Sequence, residues 1–250
     1  MNKKYIDSIR LTSSINENSY LCELPVVKYL ANVNELAFSK NVTFLLGENG
    51  TGKSTLIEAI AVASGFNAEG GSRNFNFSSS VTHSELYRHL TLSRSSHPKD
   101  GFFLRAESFY NTASYIDELD KIPVPGLPLI DKYGGKSLHK QSHGESFMAL
   151  VKNRLRGNGL YLFDEPEAAL SPSRLMSLLV CIHDLVKNNS QFIIATHSPI
   201  LMAYPNAEIF QLSEDGILAV DYRETEHYQL TRRFLENPER IFQYLFAENS

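Results

Sequence analysis

The sequence predicts an α/β fold with a mainly parallel central sheet flanked by helices. Three observations lead there. Short runs that are apolar on both faces recur along the chain, as strands of a covered parallel sheet do. Stretches with helical hydrophobic spacing follow most of them. A glycine-rich loop joins the first such run to the first helical stretch.

Composition sets the frame. The 250 residues are 42% hydrophobic and 21% charged, which fits a globular chain with a sizeable core and excludes wholesale disorder. The formal net charge of −4 gives no reason to expect a surface that coats nucleic acid, although a local patch is compatible with it. Two cysteines, Cys22 and Cys181, argue against a disulfide framework and for a reducing cytoplasm. Lys3 and Lys4 have no apolar signal core behind them, and no apolar run reaches the roughly eighteen residues of a membrane span. A cytoplasmic protein without membrane association is expected.

The elements follow in order. Val42-Thr43-Phe44-Leu45-Leu46 is the first buried strand, and residues 54–64 form a helix with Ile57, Ile60 and Ala61 on one face and Gly65 at its C-terminal stop. From Gly65 to Pro98 the chain turns polar and serine-rich and reads as irregular. Residues 101–105 are a weaker strand candidate. Ile122-Pro123-Val124-Pro125-Gly126-Leu127-Pro128 cannot be helix interior and reads as an extended connector. Residues 159–163 and 191–195 are further buried strands. Between them, the 172–187 helix keeps Leu175, Leu178, Leu179, Ile182, Leu185 and Val186 in register, with Ser171 as N-cap and Pro172 at its first position. A hairpin follows, 208–212 and 217–222 around Ser213-Glu214-Asp215-Gly216. The last helical segment breaks at Asn237-Pro238, where Pro238 opens a second short helix. Neither an internal repeat nor a heptad array is visible.

Gly47-Glu48-Asn49-Gly50-Thr51-Gly52-Lys53-Ser54 matches the Walker A pattern between a strand and a helix. Chance supplies about one such match per hundred chains of this length, so the flanking elements decide in its favour. Its glycines let consecutive N–H groups converge on phosphate oxygens, and the helix behind directs its positive end at the same anion. The expected contacts run from Gly47 through Asn49, Gly50, Thr51 and Gly52. Lys53 reaches the β- and γ-phosphates, Ser54 ligates Mg²⁺ and Thr55 bonds the α-phosphate.

Leu160-Tyr161-Leu162-Phe163-Asp164-Glu165 is an apolar strand ending in two carboxylates, the form of a Walker B motif. Alone, such a pair reads as the start of a solvated loop; with a Walker A upstream, the two acids divide the work. Asp164 holds a water or Ser54 in the Mg²⁺ shell, and Glu165 polarises the attacking water. His197 follows the next strand in Ala195-Thr196-His197-Ser198-Pro199. Strand ends of a doubly wound sheet gather on one rim, which places His197 to contact the γ-phosphate or position water.

In this order the motifs resemble those of ATP-binding-cassette (ABC) ATPases. Asp164-Glu165-Pro166-Glu167-Ala168-Ala169-Leu170-Ser171 looks like the Walker B and D-loop, and Thr196-His197-Ser198 like the switch histidine. Ser142-His143-Gly144-Glu145-Ser146 occupies the place of the signature motif. The resemblance covers roughly residues 40–200 and is closest to the soluble SMC and RecF-like branch and to small "AAA family" ATPases. It implies a P-loop NTPase with an ABC-type head as a single domain. The core lobe would span about 1–65 and 155–250, and a helical and irregular signature lobe about 66–154. It also implies ATP and Mg²⁺ as ligands, and Ser142 and Gly144 acting on the γ-phosphate held by the opposite protomer of an ATP-dependent homodimer.

The chain departs from the family pattern at several positions. His143 stands where glycine is usual, Glu145 where glutamine is usual, and Ser171 in place of a D-loop aspartate. No Q-loop glutamine follows residues 101–105, and Glu107 is the nearest positional match for an Mg²⁺ or water contact. Tyr20 and Tyr29 are open alternatives for an adenine platform. The 86 residues between Thr55 and Ser142 are too few for a long coiled coil, so the chain reads as a head without arms.

The expected function is an ATP-hydrolysing switch coupled to DNA or to a separate effector protein. An ATP sensor with little turnover is the alternative. A P-loop small-molecule kinase, with Arg88 and Arg94 in a lid, leaves the signature and His197 without a task, and no Asn-Lys-x-Asp guanine reader supports a GTPase. Nothing identifies a transporter's membrane partner. Fifty-three residues follow His197 and read as a hairpin and helices, so a nuclease activity would sit on another chain. Lys132, Lys136, His139, Lys140 and His143 form a basic cluster beside the signature, which reads either as a solvated loop or as a contact for nucleic acid.

Overall fold

The structure is a computed structural model describing residues 3–73, 83–120, 131 and 133–247. In chain order its strands are β1 (Ser8–Leu11), β2 (Leu36–Ala37), β3 (Val42–Gly47), β4 (Leu90–Ser93), β5 (Asp100–Arg105), β6 (Gly159–Asp164), β7 (Gln191–Ala195), β8 (Glu208–Ser213) and β9 (Gly216–Ala219). The helices are α1 (Pro25–Asn32), α2 (Lys53–Ala63), α3 (Phe109–Asp120), α4 (His143–Arg154), α5 (Pro172–Lys187), α6 (Pro199–Met202), α7 (Glu226–Glu236) and α8 (Pro238–Ala247).

Six strands form the central sheet in the order β5-β6-β7-β3-β8-β9, parallel except for β9, which returns antiparallel beside β8. Strand alternation sends Phe44, Phe102, Tyr161, Phe163, Phe192 and Ile194 to one face, where α4 and α5 cover them. Leu45, Phe103, Leu160, Leu162, Ile193 and Ala195 point to the other face, against α1, α2 and a small antiparallel sheet, β2-β1-β4. Both faces are therefore dry, which explains why these strands carry no polar alternation.

Two expectations need correction. Residues 90–93 lie inside the stretch read as irregular, yet they pair with β1 as a strand. Leu90 alone of the four is buried, so no run of apolar residues announced it. Consequently the boundary drawn at residue 66 does not isolate a second lobe: β4 and β5 belong to the two sheets, and Glu85–Arg88 forms a 3₁₀ turn capped by Ser84. The extended connector at 122–128 lies outside the described residues, as does Lys132 of the basic cluster.

Sheet register positions the site. Arg105 pairs with Asp164, Asp164 with Ala195, Leu45 with Ala195, and Leu45 with Phe210, so these residues form one row across the parallel strands. Neighbouring strands lie about 4.8 Å apart. The loops leaving β3, β6 and β7 therefore emerge side by side on one rim, carrying the Walker A residues, Asp164–Glu165 and His197. Among the described residues no helix is long and apolar enough to cross a membrane.

Candidate active site

The loop after β3 turns through three glycines with positive φ, Gly47 (+147°), Gly50 (+88°) and Gly52 (+93°). Gly47 admits no side chain, because a Cβ there would stand 2.4 Å from the Leu212 carbonyl oxygen on β8. Asn49 and Gly50 are exposed at the crest, whereas Thr51 is buried and donates from Oγ1 to the Glu48 carbonyl at 2.9 Å. Gly52 precedes α2 without a side-chain cap, leaving first-turn N–H groups directed at the rim.

Lys53 is the first residue of α2 and only 4% exposed. Its Nζ donates to the carbonyls of Gly47 (2.6 Å) and Glu48 (2.9 Å), which holds the ammonium over the loop. Burial lowers its pKa from the usual lysine value, and the carboxylates of Glu165, Asp164, Glu167 and Glu48 oppose that shift. A cavity of about 890 Å³ opens over Gly47–Thr51 and reaches Lys28, Asp215 and His227. Neither Tyr20, 60% exposed, nor Tyr29, whose ring packs on Gly216, lines it.

Ser54, half-buried beside Thr55 in the first turn of α2, donates from Oγ to Asp164 Oδ1 at 3.0 Å. The two residues are 110 positions apart in sequence, and the register brings them together. Asp164 is 4% exposed, and burial pushes its pKa up to about 6 against the opposing pull of Arg105 and Ser54. Arg105 Nε lies 3.5 Å from Asp164 Oδ2, while its Nη1 donates to buried Glu58 at 2.7 Å. Glu107 is 85% exposed with Oε2 3.6 Å from Arg105 Nη2; it borders a second cavity of about 480 Å³ with Ser54, Asp164 and Glu165.

These groups fit Mg²⁺. They are hard oxygen donors around a buried carboxylate that burial disfavours as an unpaired anion. Mg²⁺ keeps several waters and takes phosphate oxygens, so one or two protein oxygens suffice to hold it.

Glu165 adopts a left-handed backbone, φ +49° and ψ +52°; the other non-glycine residues with positive φ among those described are asparagines. A glutamate tolerates that conformation poorly, so the turn is specified by its surroundings, including the Glu165 N–H bond to the Ala195 carbonyl at 2.9 Å. The turn leaves Glu165 Oε1 3.7 Å from His197 Nε2. Glu167, two residues on, accepts from the His197 backbone N–H and is pushed up in pKa, chiefly by burial. Burial also lowers the His197 pKa, joined by Lys53 and His227 and opposed by Glu165.

Ser142 is the exposed N-cap of α4, and Glu145 Oε2 accepts from its Oγ (2.8 Å) and N–H (3.0 Å). Arg174 of α5 lies over the pair, with Nη1 3.4 Å from Ser142 Oγ and Nη2 3.5 Å from Glu145 Oε1. Gly144 is buried, and a Cβ there would stand 3.0 Å from the Ala169 carbonyl oxygen and against Arg174. Neither Ser142 nor Gly144 borders either cavity of its own chain, whereas His143 borders the one at Asp164. The fold thus joins Lys53, Ser54, Asp164, Glu165 and His197 within one chain and leaves Ser142 and Gly144 apart.

Sequence reasoning missed Arg105, Glu58, Glu167 and His227. Charge on a strand end was visible at Arg105, but its partners come from other elements. The kinase lid finds no support: Arg94 donates to the Ala63 carbonyl, at the end of α2 remote from the loop, and Arg88 pairs with Glu85 in a local turn. Of the basic cluster, Lys136 is exposed and His139 is tied to Ser114 at 3.0 Å.

Known proteins match the chain in two ways. Residues 26–106 match the family described as "AAA domain", and residues 146–203 match the one described as "AAA domain, putative AbiEii toxin, Type IV TA system". Structural maintenance of chromosomes protein 6 of Takifugu rubripes is 28% identical over 122 residues, 49% of this chain and 10% of that protein. The arabinose import ATP-binding protein AraG of Mannheimia succiniciproducens is 26% identical over 212 residues, 76% of this chain and 39% of that protein. The chain thus spans well under half the length of these curated relatives. In fold it is similar to cbiO1 of Clostridium perfringens, part of an ABC transporter complex, with a TM-score of 0.54 at 17% identity over 97% of this chain and 99% of that one. A nucleotide-free ATP-binding cassette from an ABC transporter gives a TM-score of 0.50 at 16% identity, over 96% and 99% of the two chains.

Proposed function

We propose, from the premise that this chain is an ABC/SMC-like P-loop ATPase domain, that it hydrolyses ATP at a site completed by a second copy of itself. The observation that carries the reading is the convergence of Lys53, the Ser54–Asp164 pair and the Glu165–His197 pair on one rim. The triphosphate lies along Gly47–Thr55, with Lys53 exchanging its loop carbonyls for β- and γ-phosphate oxygens. Glu165 takes a proton from water as the water oxygen bonds the γ-phosphorus and the bond to the ADP oxygen breaks. His197 Nε2 faces the same position and stabilises charge on the departing phosphoryl group. Ser54 and Asp164 would hold Mg²⁺, with Glu107 beside it, and the ion when bound neutralises phosphate charge.

Ser142, exposed at the N-terminus of α4, exchanges its Glu145 partner for the γ-phosphate of the opposite copy. ATP therefore closes a two-fold homodimer, and loss of the γ-phosphate opens it. The cycle acts on DNA or on a separate effector protein, in a reducing cytoplasm consistent with free Cys22 and Cys181.

Phosphate release by the purified chain with Mg²⁺ and ATP tests this. Steady turnover is expected, with at least a hundredfold loss in Lys53→Ala. Turnover equal in the two proteins would show that the rim is not the site of hydrolysis. The same assay with duplex DNA over a range of salt tests DNA as the coupled partner: salt-sensitive stimulation indicates DNA, and its absence removes DNA from the reading.

A further inference from the structure

We infer that His227 is a positioning residue for His197: it donates from Nε2 to His197 Nδ1 and so fixes the His197 proton on Nε2, toward Glu165 and the γ-phosphate. The inference rests on the proposed hydrolytic site and adds to it a group from the C-terminal helices. His227 stands in the first turn of α7, thirty residues beyond His197, with its Nε2 3.1 Å from His197 Nδ1. The two rings lie 5.3 Å apart between centroids.

The tautomer follows from what faces each nitrogen. His197 Nε2 looks at a carboxylate oxygen of Glu165 at 3.7 Å, and only an N–H there is attracted to it. A neutral His197 with its proton on Nε2 has a lone pair on Nδ1 and needs a donor, which His227 Nε2–H supplies. The opposite direction would put the proton on Nδ1 and turn the Nε2 lone pair toward the carboxylate and the phosphate oxygens, where it repels both. The lowered pKa of His197 agrees with a neutral ring.

The surroundings hold the donor in place. Thr225, the N-cap of α7, is fully buried; its Oγ1 donates to the Tyr222 carbonyl (2.8 Å) and accepts from the Tyr228 N–H (3.3 Å). Tyr222 and Tyr228 pack ring against ring at 4.7 Å, and Glu167 holds the His197 backbone from the other side. His227 also borders the cavity over the phosphate loop, so α7 joins the site.

The test compares His227→Gln, which keeps an N–H donor near the Nε2 position, with His227→Leu, which has none. Nitrogen-15 spectra of histidine-labelled protein are expected to show His197 protonated on Nε2 in the wild type and in His227→Gln. In His227→Leu a substantial Nδ1–H population should appear. In parallel, kcat should fall on the order of tenfold or more in His227→Leu with KM for ATP within about twofold, and His227→Gln should recover most of it. An unchanged His197 tautomer in His227→Leu would overturn the inference, as would equal kcat losses in the two variants. The spectrum needs no turnover, so it stands apart from the hydrolytic reading, which full activity of His197→Ala would contradict instead.

Discussion

Glu165→Gln is expected to bind ATP normally and to slow phosphate release by about 10²–10⁴-fold, the usual contribution of a general base. The amide is isosteric and keeps the side chain beside His197, while the bond that sets the Glu165 turn is made by its backbone N–H to Ala195 and survives the change. What disappears is the acceptor for the water proton. Because the γ-phosphate persists, the variant should accumulate as an ATP-bound dimer, twice the mass of the nucleotide-free chain in light scattering. A variant that remains monomeric in saturating ATP would contradict the switch, and one that hydrolyses at the wild-type rate would remove Glu165 from the chemistry.

Asp164→Asn should move stability and activity in opposite directions. Burial holds the Asp164 pKa at about 6, above the 3.8 of an unperturbed aspartate. The folded chain therefore binds more protons than the unfolded chain between these values, and stability falls as pH rises through that window. At pH 7.5 the ionised carboxylate costs on the order of 2–3 kcal/mol net, with the opposing pull of Arg105 and Ser54 already included. Without nucleotide and with EDTA present, Asp164→Asn should melt several degrees higher than wild type at pH 7.5, roughly 2–4 °C per kcal/mol. The gap should close toward pH 4.5, where the wild-type group is itself neutral. Turnover should drop by at least about a hundredfold, because the buried anion that would hold Mg²⁺ is gone. A lower melting temperature for Asp164→Asn at pH 7.5 would refute the burial account of this residue.

Such opposition between stability and activity explains which parts of the protein could be read from sequence. Strands β3, β6 and β7 are buried on both faces, so their apolar runs announce them, and the loops that follow carry residue types tied to phosphate chemistry. The amphipathic α5 was equally visible from spacing, and the break between α7 and α8 from Asn237-Pro238. β4 was not, because this edge strand of a small sheet buries Leu90 alone and leaves Thr91 and Leu92 half-buried and Ser93 exposed. The groups that tune the site were hidden for another reason. Arg105 reaches Asp164 through a sheet pairing 59 residues away, and His227 reaches His197 from a helix whose local pattern speaks only of its own amphipathicity. Gly144, read as a phosphate contact, also allows α4 to approach the Ala169 carbonyl, a demand set by packing that spacing does not encode.

Mixing two inactive chains tests the shared site most directly. Lys53→Ala disables the phosphate loop and Ser142→Arg disables the signature, so each alone should release almost no phosphate. Random pairing of an equimolar mixture gives mixed dimers in which one site combines an intact loop with an intact signature, restoring about a quarter of wild-type phosphate release. Activity that stays at the level of the separate variants, in a mixture shown by mass to contain mixed dimers, would mean that Ser142 does not serve the triphosphate bound by the opposite copy.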